Sequence, residues 1–312
     1  MASNLLPWVL RGGDFSKQGW HTQPTAAYQL MFEFLRVSPS YELARRERST
    51  GLTKAEKASL PKDFDQVLKT YDLIGDVNCI LFRMWWLKRG LKVFGNPYSK
   101  PDVHEIALLP NGSEVDISKV LGSLQTNYSD KRRDEGLTTS LLIALPLELK
   151  SSEIMNKVRK LLSVYKDKDV GTAPLPKIKL MGKRFHPNPM FKGLRTLWFK
   201  AAKPNWELWR LGAKAGLSDS YSKVLDPSAP RKTKDEVEMD DRITMSKITF
   251  RAVHRFEHIA ENAARGRFPC ADPVEMSEFN YPDIAQRLLR HTKWVQSQKL
   301  KWTEKNKKLK MN

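Results

Sequence analysis

Cysteine is scarce. Cys79 and Cys270 are the only two in 312 residues. They stand far apart and fit no paired metal-ligand spacing, so a Cys-built metal module is excluded and buried thiols in a reducing cytoplasm are the plain reading. Long apolar runs are lacking as well. The stretch Met1 to Leu10 is weakly apolar but has no basic lead, and Pro7 and Gly12-Gly13 break it. Neither a signal peptide nor a spanning helix is predicted there, and no membrane is expected as a partner. There is no Gly-rich phosphate loop with Lys, no Ser or Cys nucleophile motif and no dinucleotide fingerprint, so no cofactor is expected. Acid is missing too where base is abundant, because no Asp or Glu occurs between Val170 and Trp206.

What the chain does have is positive charge. It carries 54 Lys and Arg against 35 Asp and Glu, a net of +19. Residues 151–312 hold 34 against 18, or +16, and residues 1–150 hold 20 against 17, or +3. Concentrated like charge opposes compaction and persists where a polyanion relieves it, so a nucleic-acid surface in the C-terminal half is expected. An apolar content of 40% and nine Trp are enough to fill a core, and the length suggests two domains.

Periodicity predicts an α+β fold, with a mixed helical and strand N-terminal domain followed by a mainly α-helical, DNA-binding C-terminal domain. One helix should run from Pro24 to about Arg36, with Tyr28, Met31, Phe32 and Leu35 on its buried face and Ser38-Pro39 ending it. A second should cover Asp76 to Arg89, capped by Gly90. Residues 103–109 and 113–117 flank Pro110-Asn111-Gly112, which signals a hairpin, and 137–145 suits a third strand. A helix should follow over 151–165. The domains expected are 1–168, a linker at 169–176 containing Gly171, Pro174 and Pro176, a helical basic domain at 177–298, and a mobile basic tail at 299–312.

Two N-terminal segments suggest a family. Tyr28-Gln-Leu-Met-Phe-Glu-Phe-Leu-Arg-Val-Ser-Pro-Ser-Tyr41, followed by Trp86-Leu-Lys-Arg-Gly-Leu-Lys-Val-Phe-Gly-Asn-Pro97, resembles the proteobacterial transcriptional-regulator-like domain. Phe32 stands where that family has Trp, Val37-Ser38 where it has Arg-Asn, and Arg89 precedes Gly90 where Trp is usual. The resemblance covers about the first third of the chain. It implies association with DNA-binding regions of bacterial mobile elements, and it supplies no catalytic residue.

The expected contacts to DNA lie in the basic half. Lys183, Arg184, Lys192 and Arg195 belong to the acid-free stretch, interleaved with Phe185, Phe191, Trp198 and Phe199, which suits phosphate contact. Residues 207–225 then have a helix-turn-helix pattern. Leu208, Leu211, Gly212 and Ala215 form an inner face, Arg210 and Lys214 an outer one, and Gly216 falls at the turn. Ser218 would cap a second helix anchored by Tyr221, Val224 and Leu225, leaving Asp219, Ser220, Ser222 and Lys223 to read base edges. The segment resembles the repressor signature Ala-Gly-Val-Ser…Val-Ser-Arg-Val but is one residue shorter between its two serines. Arg231, Lys232 and Lys234 follow in a loop that runs into the acidic stretch Asp235 to Asp241. A long helix from Ile243 to Arg265, closed by Gly266, would bury Met245, Ile248, Ala252, Phe256, Ile259 and Ala263. Its Lys247, Arg251 and Arg255, with Arg265 and Arg267 at the end, would track a phosphate backbone over roughly 34 Å. A last helix should run from about Pro282 to Leu300.

Duplex DNA is therefore the expected partner of a non-enzymatic regulator or DNA-processing accessory protein, with another protein or a second copy engaged through the N-terminal domain. An RNA or single-strand binder would instead stack bases on Trp198 or Phe191. A metal-dependent hydrolase would use His254 and His258 of His254-Arg-Phe-Glu-His258 with a third ligand from Glu275, Glu278, Asp283 or Glu304. A nuclease-like set would need Asp102, Glu148 and Lys150.

Overall fold

A computed structural model of the chain describes residues 13–95, 103–109, 116–131, 139–165, 176–182 and 185–311. The described residues are helical, and no strand occurs among them, so the expected α+β class is corrected to all-α. Among the described residues nine helices have eight residues or more: α1 Ala26–Val37, α2 Pro39–Ser49, α3 Phe64–Ile74, α4 Ile117–Thr126, α5 Ser151–Ser163, α6 Pro187–Ala202, α7 Leu208–Ala215, α8 Glu236–Ala264 and α9 Tyr281–Met311.

The chain does not divide in sequence order. Residues 1–89 fold together with 178–312 as one compact unit, and 90–177 form another. The boundary expected near 169–176 therefore marks the end of an insertion and not the junction of two consecutive domains. The charge follows the units. Residues 90–177 hold 13 Lys and Arg against 11 Asp and Glu, a net of +2, which leaves 41 against 24, or +17, on the larger unit.

In the larger unit α1 is the central helix. Leu30, Met31, Phe32, Phe34, Leu35 and Val37 are buried, so apolar side chains point to nearly every side, and α6, α8 and α9 pack around it. Ser38 ends α1 because the residue before a proline avoids the helical region, and its backbone is extended at φ −65° and ψ 124°. The same Ser38 caps α2, its Oγ accepting from the Tyr41 amide at 3.1 Å, with Pro39 in the first turn. The expected helix over Asp76 to Arg89 starts only at Phe82, because Arg36 takes the carbonyls of Val77 and Ile80 at 2.8 Å each. Gly90 does not cap it. It is helical at φ −53°, and Gly95 at φ 70° ends the stretch.

A polar knot ties α2 to α8. Glu261 is wholly buried, and its carboxylate accepts from the Ser38 hydroxyl at 2.6 Å, the Ser40 amide at 3.1 Å, the Ser40 hydroxyl and the Arg265 guanidinium at 3.1 Å. Arg265, 2% exposed, also grips Asp63 with two bonds of 2.7 and 2.8 Å. The hydrogen bonds from Arg265 hold the Asp63 carboxyl below its usual range.

In residues 90–177 no side chain of α4 or α5 is buried. The described parts of the two arms expected to form a hairpin do not pair. Residues 103–109 lie in no ladder, and Ile117 opens α4 because the Asp116 carboxylate accepts from the Ser118 and Lys119 amides. The expected turn at 110–112 and residues 113–115 of the second expected arm lie outside the described residues. Of the strand expected over 137–145, residues 139–145 are irregular and leave Leu141, Leu142, Ile143 and Leu145 exposed, and 137–138 lie outside the described residues. The Val93 carbonyl accepts the Lys177 amide at 2.7 Å, so this stretch starts and ends at one place. Residues 166–175, most of the expected linker, lie outside the described residues.

Candidate nucleic-acid interface

The long helix begins seven residues earlier than expected. Asp235 accepts from the Val237 and Glu238 amides, and Glu236 and Glu238 sit in the positive first turn, so the acidic stretch is a helix start and not a loop. Its inner face holds Met245, Thr249, Val253, Phe256 and Ala260. Two glycines let neighbouring helices approach it: a Cβ on Gly212 of α7 would meet Thr249 Oγ1 at 2.0 Å, and one on Gly193 of α6 would meet the Phe256 ring at 2.1 Å.

With that face packed, Lys247, Arg251 and Arg255 point outward. All three are exposed, and none makes an ion pair among the described residues. From Ile243 to Phe256 the helix has no Asp or Glu. Phe250, 63% exposed, and His254 share the outward arc.

A loop with three further cations is pinned against α8. Arg242 donates to the carbonyls of Pro230 and Arg231 at 3.0 Å each, pairs with Glu238 and lies 4.2 Å above the Trp209 ring. Lys232 and Lys234 are exposed and make no ion pair among the described residues, while Arg231, also exposed, reaches Glu207 at 3.2 Å. Arg242 was not among the expected site residues. Its signal was local, since Glu238 and Arg242 stand four apart on a helix whose acidic start looked like loop.

The helix-turn-helix segment keeps its first half. α7 ends at Gly216, left-handed at φ 73°, and the Leu217 amide returns to the Gly212 carbonyl at 3.1 Å. The second helix, Tyr221–Val224, is a single turn, and its N-cap is Ser220 without a side-chain cap bond, not Ser218. Tyr221 and Leu225, two of the three expected anchors, pack with Trp209 and Met245, but the third, Val224, is exposed. Asp219 is bound to Lys192 at 2.6 Å, and that bond holds its carboxyl below the usual range. The Ser222 hydroxyl is buried with no hydrogen-bond partner. Ser218 is half-buried, and Ser220 and Lys223 are exposed.

Several expected phosphate contacts are structural. Arg195 is held between the Phe191 and Phe199 rings at 5.6 and 5.5 Å and donates to the Lys214 carbonyl, and burial lowers its pKa. Arg210 bonds Glu207 and the Pro227 carbonyl over the Trp209 ring. Arg265 belongs to the buried knot, and Arg267 is half-buried beside it. Lys183 and Arg184 lie outside the described residues. Of the expected set, Lys214, Lys223, Lys232, Lys234, Lys247, Arg251 and Arg255 are exposed and make no ion pair among the described residues.

The rings considered for base stacking are occupied. Trp198 is 2% exposed, and Phe191 lies 4.8 Å from Phe15 and 5.2 Å from Trp20. The His254 and His258 rings lie 4.6 Å apart, and burial lowers the His258 pKa. No group of three His, Cys, Asp or Glu suited to a metal occurs among the described residues. Glu148 lies in a turn after the irregular stretch, and Asp102 lies outside the described residues. No helix among the described residues is long and apolar enough to cross a membrane. Comparison with protein-family models, with curated proteins and with solved structures finds no match.

Proposed function

We propose that the unit formed by 1–89 and 178–312 is a non-catalytic binder of duplex DNA, and that its contact surface is the outward arc of α8 with the adjoining turn and loop. The observation that carries this reading is the row Lys247, Arg251 and Arg255, exposed and unpaired on a stretch free of acid. Four residues of helix rise about 6 Å, so the row spans about 12 Å, over which one DNA strand presents three to four phosphates. The +17 concentrated on this unit supports the same reading through steering and counterion release. The resemblance of the N-terminal segments adds a role as transcriptional regulator or DNA-processing accessory factor of a bacterial mobile element.

Fluorescence anisotropy on random-sequence duplex tests the proposal. With all seven free cations on phosphates, log K should fall against log salt with a slope of about −6 between about 50 and 200 mM. Absence of affinity for duplex at the low end overturns the reading. A single-strand reading has less support, because the Trp198 ring is buried and the half-buried Phe191 ring is already packed against Phe15 and Trp20.

A further inference from the structure

We infer that α8 is itself the base-reading element and enters the major groove with Phe250 and His254 toward base edges, in place of the segment 216–225. This rests on the proposed binding of duplex DNA and deepens it. A helix that reads a groove must present a continuous outward face over several turns. The segment 221–224 is one turn, with the Ser222 hydroxyl inside and Asp219 engaged by Lys192. α8 runs 29 residues and keeps Ile243, Lys247, Phe250, Arg251, His254 and Arg255 outward over about 18 Å, longer than the roughly 12 Å width of a major groove.

The arc is also graded across its width. At about 100° per residue, Ile243 and Phe250 lie about 40° and 60° to one side of Lys247, His254 about 20° to that side, and Arg251 and Arg255 about 40° and 80° to the other. One margin is therefore apolar and the other cationic. Phosphate contact alone needs no exposed phenyl ring. A ring beside a row of cations suits a duplex that offers phosphates at the groove wall and thymine methyl groups on its floor. An anionic bilayer would need a broad apolar face, and the inner side of α8 is already spent on the core.

The test uses the full chain and a duplex library with a randomised centre, carried through selection by binding and sequencing. The wild type should enrich sites with thymine at a fixed position. Phe250→Ala should lose that preference and about tenfold of the affinity for the enriched site, with the salt slope unchanged because no cation is removed. Lys247, Arg251 and Arg255 replaced together by Ala should lower the slope by about 2.7 and leave the preference in place. The inference is overturned if Phe250→Ala still enriches the same site, if no site is enriched, or if Ser220→Ala with Lys223→Ala abolishes the preference instead. A wild type that binds no duplex at low salt, whether or not it binds anionic vesicles, overturns the underlying function as well. Far-ultraviolet circular dichroism of each variant must match the wild type.

Discussion

Replacing Glu261 by Ala should remove a large share of the stability of the larger unit. The carboxylate is wholly buried and serves four donors, and the nearest cation, Arg265, is 2% exposed. Breaking a buried ion pair by deleting one partner costs about 3–5 kcal/mol, because the remaining charge is left uncompensated. Arg265 keeps its two bonds to Asp63 and its bonds to the Glu261 and Glu275 carbonyls, which puts the expected cost near the lower end. The Ser40 amide adds a buried donor with no acceptor. A loss of about 3–4 kcal/mol follows, against a total of about 5–15 kcal/mol for a folded domain. Glu261→Gln keeps one acceptor oxygen and the side-chain volume and should lose about half as much. Urea titration followed by Trp fluorescence measures this cleanly, because all nine Trp lie in 1–89 and 178–312 and report that unit alone. With a slope of about 3 kcal/mol/M, the midpoint should fall by about 1 M in Glu261→Ala. A midpoint shift below about 0.3 M with an unchanged slope, or a larger loss in Gln than in Ala, refutes the argument.

Three further outcomes are expected. Gly193→Ala drives a methyl group into the Phe256 ring, where the Cβ would stand at 2.1 Å, and should cost about 1–3 kcal/mol by urea titration; an unchanged midpoint means α6 and α8 are not in close contact. Tyr41→Phe strips the 2.7 Å bond from the Gly75 carbonyl inside the core and should cost about 1–2 kcal/mol, while duplex affinity measured in the folded protein stays the same. His291 is buried, and its pKa is pushed down to about 2, first by burial and then by Arg36. The unfolded chain therefore binds a proton below about pH 6.5 that the folded one refuses, so stability falls with acidification, by about 1 kcal/mol between pH 6 and 5 from this group alone. His291→Gln should remove that share of the slope; an identical pH dependence in the variant counts against a buried neutral imidazole.

Local signals in the sequence account for much of the helical framework. α1, the break at Ser38-Pro39 and the end of α8 at Gly266 each follow from apolar spacing next to a residue with one strong backbone preference, and α5 from apolar spacing alone. The expected strands failed because alternation is only half of a strand. Residues 103–109 and 139–145 have apolar content but no partner ladder among the described residues, and Asp116 and Ile117 of the other expected arm open a helix. The site divides in the same way. Lys247, Arg251 and Arg255 stood out by their spacing. Arg265 looked equally free, yet its partners are Asp63, distant in sequence, and Glu261, whose burial depends on Ser38 and Ser40. Charge along a sequence cannot show which cations are already neutralised by residues two hundred positions away. The joining of 1–89 to 178–312 escaped notice for the same reason, because the contacts that make it are all long-range.

The hydrogen bond from the Lys177 amide to the Val93 carbonyl makes the middle of the chain a detour that returns to its point of departure. To the helices on either side, those residues are a single long loop. Closure entropy grows only with the logarithm of length, so a detour of roughly 80 residues costs the surrounding framework only about 2.5 kcal/mol more than a five-residue turn. Insertions, deletions or wholesale replacement between 103 and 165, where no described residue is buried, are thermodynamically cheap for that framework. The outward arc of α8 is built from the framework alone, so descendants of this chain are free to rewrite the detour while keeping the arc.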